Sequence, residues 1–154
     1  MHHGVAAVTA RLRELGAEGE VRFLPEAVRT AQQAADALDC PVGAIANSLV
    51  FDADGAPVLI LTSGAHRVDT DLVARTVGSA ALTRATPDFV RRHTGQAIGG
   101  VAPVGHPTPI PTYLDRALVE HSVIWAAAGH AHAVFTTTYL ELRTITEATE
   151  IDVA

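Results

Sequence analysis

The chain has 154 residues, of which 48% are hydrophobic and 18% charged, with a formal net charge of −6 at pH 7. That length fits one domain able to bury a real core, and its apolar runs, at residues 58–61 and 123–128, are far too short to span a membrane. All 11 basic residues are arginine, which excludes a Schiff-base amine, a lysine general base and a P-loop lysine, while the acidic balance argues against broad nucleic-acid binding and leaves room for a small basic patch.

The N-terminus has no charged-then-apolar signal pattern and Cys40 is the sole cysteine, so a cytoplasmic location is expected, with no membrane association. Val5, Val8, Leu12 and Leu15 recur at helical spacing and Gly16 follows them, which predicts an amphipathic first helix. Residues 21–24 read as a short strand closed by Pro25. Thr30, with Gln33 three residues on, opens a second helix that runs through Ala34 to Leu38, and residues 41–46 allow one further turn. Two apolar runs, 49–51 and 58–61, flank Asp54-Gly55, which predicts a hairpin of central strands covered on both faces.

Asp69 caps a helix carrying Leu72, Val73 and Val77 that stops at Gly78, and residues 80–83 are a weaker strand. Thr86-Pro87-Asp88 then supplies a cap, a first-turn proline and a first-turn carboxylate for a short helix ending before Gly95. Residues 94–109 hold four glycines and three prolines, which forbid a helix or a central strand. This shaped loop is either a backbone-built pocket, with Gly99-Gly100 bringing N–H groups close to a ligand, or a plain surface crossover. Beyond it come a strand at 112–114, a turn of helix at 115–120, strands at 123–127 and 133–136 around Gly129-His-Ala-His132, and a last helix from Thr137 or Thr138. The mixed order of hairpins and crossovers predicts an α+β or mixed α/β fold, a mixed and mainly antiparallel sheet surrounded by helices in one domain over residues 1–154.

Familiar catalytic patterns are absent: the chain has no GxxxxGK[ST], HExxH, GxSxG or paired CxxC. His130-x-His132, with His66 or His106, lacks a carboxylate or cysteine partner at ligand spacing, so no metal and no cofactor is expected. Cys40 has no cationic neighbour in sequence and reads as an inert thiol. Arg91-Arg92-His93 is either a phosphate contact or a solvated helix face. Asn47 and Ser48 stand immediately ahead of an apolar strand, where a polar side chain is held rigidly and open to a cleft, or else is a hydrogen-bonded structural group.

Five segments in order carry a resemblance: residues 30–35 (TAQQAA), 41–51 (PVGAIANSLVF), 61–69 (LTSGAHRVD), 94–106 (TGQAIGGVAPVGH) and 125–129 (WAAAG). Together they resemble the YbaK and prolyl-tRNA-editing-domain family over roughly residues 20–145. The resemblance implies a compact mixed-sheet fold and metal-free hydrolysis of an amino acid wrongly esterified to tRNA, commonly tRNA for proline. It implies that the glycine loop shapes the pocket around the aminoacyl ester, which maps to Gly99, Gly100 and Val101 here. Many active relatives carry a lysine where this chain has Asn47, and an acidic residue is frequent where it has Ala65.

On this reading Asn47, Gly100 and Val101 are the catalytic positions, and Ser63, Gly64, His66, Gly99, Gly129 and His132 bind substrate. Gly64, Gly100 and Gly129 are expected to border one cleft. An activated ester needs only orientation, N–H donors for the oxyanion and one water, and selection against the correct amino acid can be steric. The implied partner is the acceptor end of a misacylated tRNA, delivered alone or by a prolyl-tRNA synthetase. The alternatives are a binding module that kept the pocket without its chemistry, and a hydrolase of another small ester or amide.

Overall fold

The computed structural model describes residues 3–154. Among them are five helices, α1 (His3–Glu14), α2 (Ala31–Leu38), α3 (Thr70–Val77), α4 (Pro87–Thr94) and α5 (Tyr139–Thr146). Eight strands form one sheet: β1 (Val21–Phe23), β2 (Ile45–Ala53), β3 (Ala56–Ser63), β4 (Leu82–Arg84), β5 (Thr112–Asp115), β6 (Ile124–Ala127), β7 (Ala133–Thr137) and β8 (Thr149–Ile151). Local chemistry sets the helix ends. The hydroxyls of Thr30, Thr86 and Thr138 each accept an N–H three residues on, and Asp69 accepts those of Asp71 and Leu72. Gly78 and Gly95 close α3 and α4 in the left-handed region.

The sheet runs β1-β7-β6-β2-β3-β5-β8, with β4 added to β2 off that path. The β2–β3 hairpin is antiparallel with Phe51 opposite Val58, as the Asp54-Gly55 turn predicts. β1–β7, β6–β7 and β2–β4 are antiparallel as well, whereas β2–β6, β3–β5 and β5–β8 are parallel, so the sheet is mixed. Alternation sorts the hairpin onto two faces. Leu59, Leu61, Ala46 and Val50 pack with α1, α4, α5 and residues 101–104 of the glycine loop. Ile60, Val58 and Phe51 turn to α3, and Ile45 and Val134 turn to α2.

The sequence placed the start of β2 too late. A single turn of 3-10 helix (Val42–Ala44) leads directly into Ile45, and Asn47 and Ser48 lie within the strand, opposite Thr62 and Leu61. Hydrogen bonds to β3 carry the strand through the two polar residues, which local propensity reads as a break. β8 had no sequence signal, since three residues centred on Glu150 carry too little pattern.

Candidate functional site

β2 has an incomplete edge. Its pairing to β6 ends at Ala46 and its pairing to β4 begins at Phe51, so residues 47–50 have β3 on one side and no strand on the other. Ile45 accepts the N–H of Gly64 from the β3 side, and alternation along an antiparallel strand then turns the backbone groups of Ser48 and Val50 toward the open side. A cavity of about 290 Å³ occupies this split. Residues from both faces of the sheet line it: Ala31, Ala34 and Leu38 of α2 on one side, Val90, Gly99 and Val101 on the other, with residues 45–50 and 125–127 between them.

The polar complement of the cavity is small. Thr30, Asn47 and Ser48 are its neutral polar side chains and Arg29 and Arg84 its charges; the lining has no histidine, cysteine, aspartate or glutamate. The hydroxyl of Ser48 is buried and has no hydrogen-bond partner among the described residues. Thr30 is committed, because its oxygen caps α2 by accepting the Gln33 N–H at 3.1 Å. Asn47 lines the cavity with a half-buried side chain that bonds to no described protein group, so it is not the hydrogen-bonded structural group that its position also allowed.

The glycine loop is a pocket wall and not a surface crossover, since Val101, Ala102 and Val104 are buried in the core. Its hydrogen bonds decide which N–H is left for a ligand. Gly100 donates to the carbonyl of Ala97 at 3.0 Å, and Ala102 donates to Oε1 of Gln96 at 2.7 Å. The N–H of Val101, between them, meets no acceptor among the described residues. Gly100 is glycine for another reason: a Cβ there would lie 2.7 Å from the backbone of His130. The glycine makes room for the neighbouring chain, and its N–H, already given to Ala97, is not one of the free donors that the pair Gly99-Gly100 was expected to offer a ligand. His106, whose Nε2–H donates to the Ala102 carbonyl at 2.8 Å, pins the loop further, and burial holds its imidazole below its ordinary pKa.

Of the residues singled out from sequence, Asn47, Gly99 and Val101 line this cavity. Gly100 and Gly129 line a second one beside it. Ser63, Gly64, His66 and His132 line neither, so the three glycines do not share one cleft. Asp115 explains the first group: 1% exposed, its carboxylate accepts the Ser63 N–H at 2.9 Å and pairs with His66 Nδ1 at 2.8 Å. Ser63 Oγ donates to the Gly43 carbonyl, and a Cβ on Gly64 would strike Val42 and Ala31. These residues tie the ends of β3 and β5 to the turn before β2. His132 donates from Nδ1 to the Leu24 carbonyl and fastens the chain leaving β1. Gly129, at φ +98, lets that turn meet the backbone of α1 at Gly4. His130 and His132 stack with ring centroids 5.3 Å apart, in the turn between β6 and β7 and not along a strand edge.

Arg29 and Arg84 escaped the sequence reading, because one precedes a helix cap and the other ends a weak strand. Only the split in the sheet brings them together. Cys40 is half-buried and outside the lining, and burial followed by the Asp39 carboxylate pushes its thiol above the ordinary range.

Residues 25–145 match the family model of the aminoacyl-tRNA editing domain. The chain belongs to that family. This editing domain is 42% identical, with a TM-score of 0.92 and 99% and 98% of the two chains covered, to a solved structure described as a "putative trans-editing enzyme for prolyl tRNA synthetase". It is 29% identical over 137 residues, covering 88% of its own length and 87% of the relative, to the uncharacterized protein YwhH of Bacillus subtilis strain 168. It is also 36% identical over 104 residues to the proline–tRNA ligase of Bacillus pumilus strain SAFR-032, which covers 68% of this chain and 18% of the ligase. The editing domain therefore spans less than a fifth of that ligase. No helix among its described residues is long and apolar enough to cross a membrane.

Proposed function

We propose that this editing domain acts in trans as an aminoacyl-tRNA deacylase, taking the aminoacyl ester of a misacylated tRNA into the cavity at the split in β2. The observation that carries the reading is the pairing of an uncommitted backbone donor, the Val101 N–H, with two polar side chains without partners among the described residues, Asn47 and Ser48, in one cavity. Small-molecule clefts run from about 300 Å³ upward, so a cavity of about 290 Å³ suits a single small aminoacyl group.

The chemistry needs no protein nucleophile. The side chain of Ser48 shares a face of β2 with Ala46 and Val50, and so with the Val101 wall. A water held by Ser48 adds its oxygen to the ester carbonyl carbon, the Val101 N–H stabilises the developing oxyanion, and Asn47, on the opposite face, holds a ribose hydroxyl or a second water. The carbon–oxygen bond to the ribose then breaks, and the proton given up by the water passes to the departing ribose oxygen, leaving free amino acid and free tRNA. Apolar walls from α2 and Trp125 set the size limit on the side chain, which is the physical basis of a second sieve. Arg29 and Arg84 favour a polyanionic substrate at the mouth of a chain whose net charge is otherwise −6. A prolyl-tRNA synthetase is the partner proposed to supply the mischarged tRNA.

The test is a deacylation screen of the purified protein over tRNAs mischarged with small amino acids, run with and without a chelator. Hydrolysis of at least one of them, unaffected by chelation, is expected. No hydrolysis across the panel would favour a binding module, and loss of activity on chelation would overturn the metal-free mechanism.

A further inference from the structure

The second cavity, of about 300 Å³, adjoins the first and shares Arg29 and Ile98 with it. Its own lining adds Arg91, Gln96, Gly100 and His130, and no carboxylate. Neither arginine forms an ion pair among the described residues, although the chain carries 17 acidic residues to 11 basic ones. With two guanidinium groups and no carboxylate in the lining, nothing at this cavity neutralises their charge.

Gln96 adds an independent sign. It is 4% exposed, and its Oε1 accepts the Ala102 N–H at 2.7 Å, which fixes the orientation of the amide. The Nε2 left over is a buried donor with no partner among the described residues. A buried donor is costly to leave unsatisfied, and here the missing partner is an acceptor. Two arginines and an unused amide N–H at one cavity describe a site for an oxyanion, with guanidinium groups suited to paired phosphate oxygens.

We propose that this cavity is a phosphate subsite, binding the phosphodiester that joins the 3′-terminal nucleotide of the tRNA to the one before it while the aminoacyl ester occupies the neighbouring cavity. The assignment to RNA rests on the deacylase reading; the anion chemistry does not. Arg29, common to both cavities, marks where the terminal nucleotide would pass from one to the other. Arg91, from the last turn of α4, is the phosphate contact that its sequence context left undecided.

The experiment measures binding, not hydrolysis. The probe is the unacylated RNA trinucleotide CCA, titrated against the protein over a range of salt, beside the same trinucleotide with a neutral methylphosphonate at its last linkage, and inorganic phosphate. Arg91 is exposed, so Arg91→Gln is expected to keep the wild-type thermal midpoint. For CCA the variant should bind about tenfold more weakly, and its slope of log affinity against log salt should fall by about 0.7. For the methylphosphonate probe, wild type and variant should bind alike. Equal affinity and slope of both proteins for CCA, no wild-type binding to CCA, or an equal loss on the neutral probe would each overturn the subsite. Inorganic phosphate binding through Arg91, with no gain from the linkage in CCA, would overturn the assignment to RNA. Arg91-dependent CCA binding without hydrolysis of any mischarged tRNA would leave the subsite standing and remove the deacylase reading; hydrolysis with Arg91-independent binding would do the reverse.

Discussion

Replacing Asn47 with alanine separates the chemistry of the cavity from the stability of the sheet. Asn47 sits in the middle of β2 opposite Thr62, and its side chain bonds to no described protein group, so truncation removes no hydrogen bond from the folded state. A half-buried substitution of this kind changes stability by no more than about 0.5 kcal/mol, which for a chain of this size moves the thermal midpoint by about 1–2 °C. In the transition state the amide is asked to hold a water or a ribose hydroxyl. A neutral hydrogen bond contributes about 0.5–1.5 kcal/mol, so kcat/KM should fall roughly two- to tenfold. Asn47→Asp, of nearly the same shape, keeps an acceptor but loses the donors, and should fall further if a donor is what matters. The assay pairs single-turnover deacylation with a thermal melt on the same preparation. A variant that melts several degrees lower with full activity per folded molecule would refute the assigned role, and one unchanged in both would remove Asn47 from the site.

Gly100→Ala should destabilise the protein by about 1–3 kcal/mol in denaturant unfolding, because the new Cβ meets the His130 backbone at 2.7 Å and neither chain segment is a flexible side-chain end; an unchanged midpoint would show that the loop and the 130–131 turn are looser than their contact implies. Cys40→Ser should retain full activity, since Cys40 lies outside the cavity lining and burial keeps it a neutral thiol; loss of hydrolysis with the fold intact would restore it as a nucleophile. His106 is held below its ordinary value of 6.5 by burial, so its contribution is present above about pH 6.5 and is lost as pH falls through the lower, folded value. Unfolding free energy should therefore drop with falling pH below about 6.5, and His106→Gln should flatten that slope. Equal slopes in the two proteins would count against it.

The sequence by itself determined the helices with their ends and most of the strands, though not the start of β2 or the existence of β8. Caps at Thr30, Asp69, Thr86 and Thr138, the Asp54-Gly55 hairpin and the glycine-rich wall are local features, written in residues a few positions apart, and the ordered segments of the family stand on the same footing. Asn47, Gly99 and Val101 were legible as cavity residues for that reason. Only the tertiary structure decided what the other glycines and histidines do. Gly64, Gly129, His66 and His132 sit in motifs that look ligand-facing, but they are held by α1, α2, Asp115 and Leu24, partners distant in sequence that no local pattern names. The cavity itself is a property of pairing: it exists because β6 and β4 each take one end of the same edge of β2 and leave residues 47–50 between them. That gap arises between strands far apart in the chain, and periodicity of 2.0 or 3.6 residues carries no information about which strands will meet, or where their pairing stops.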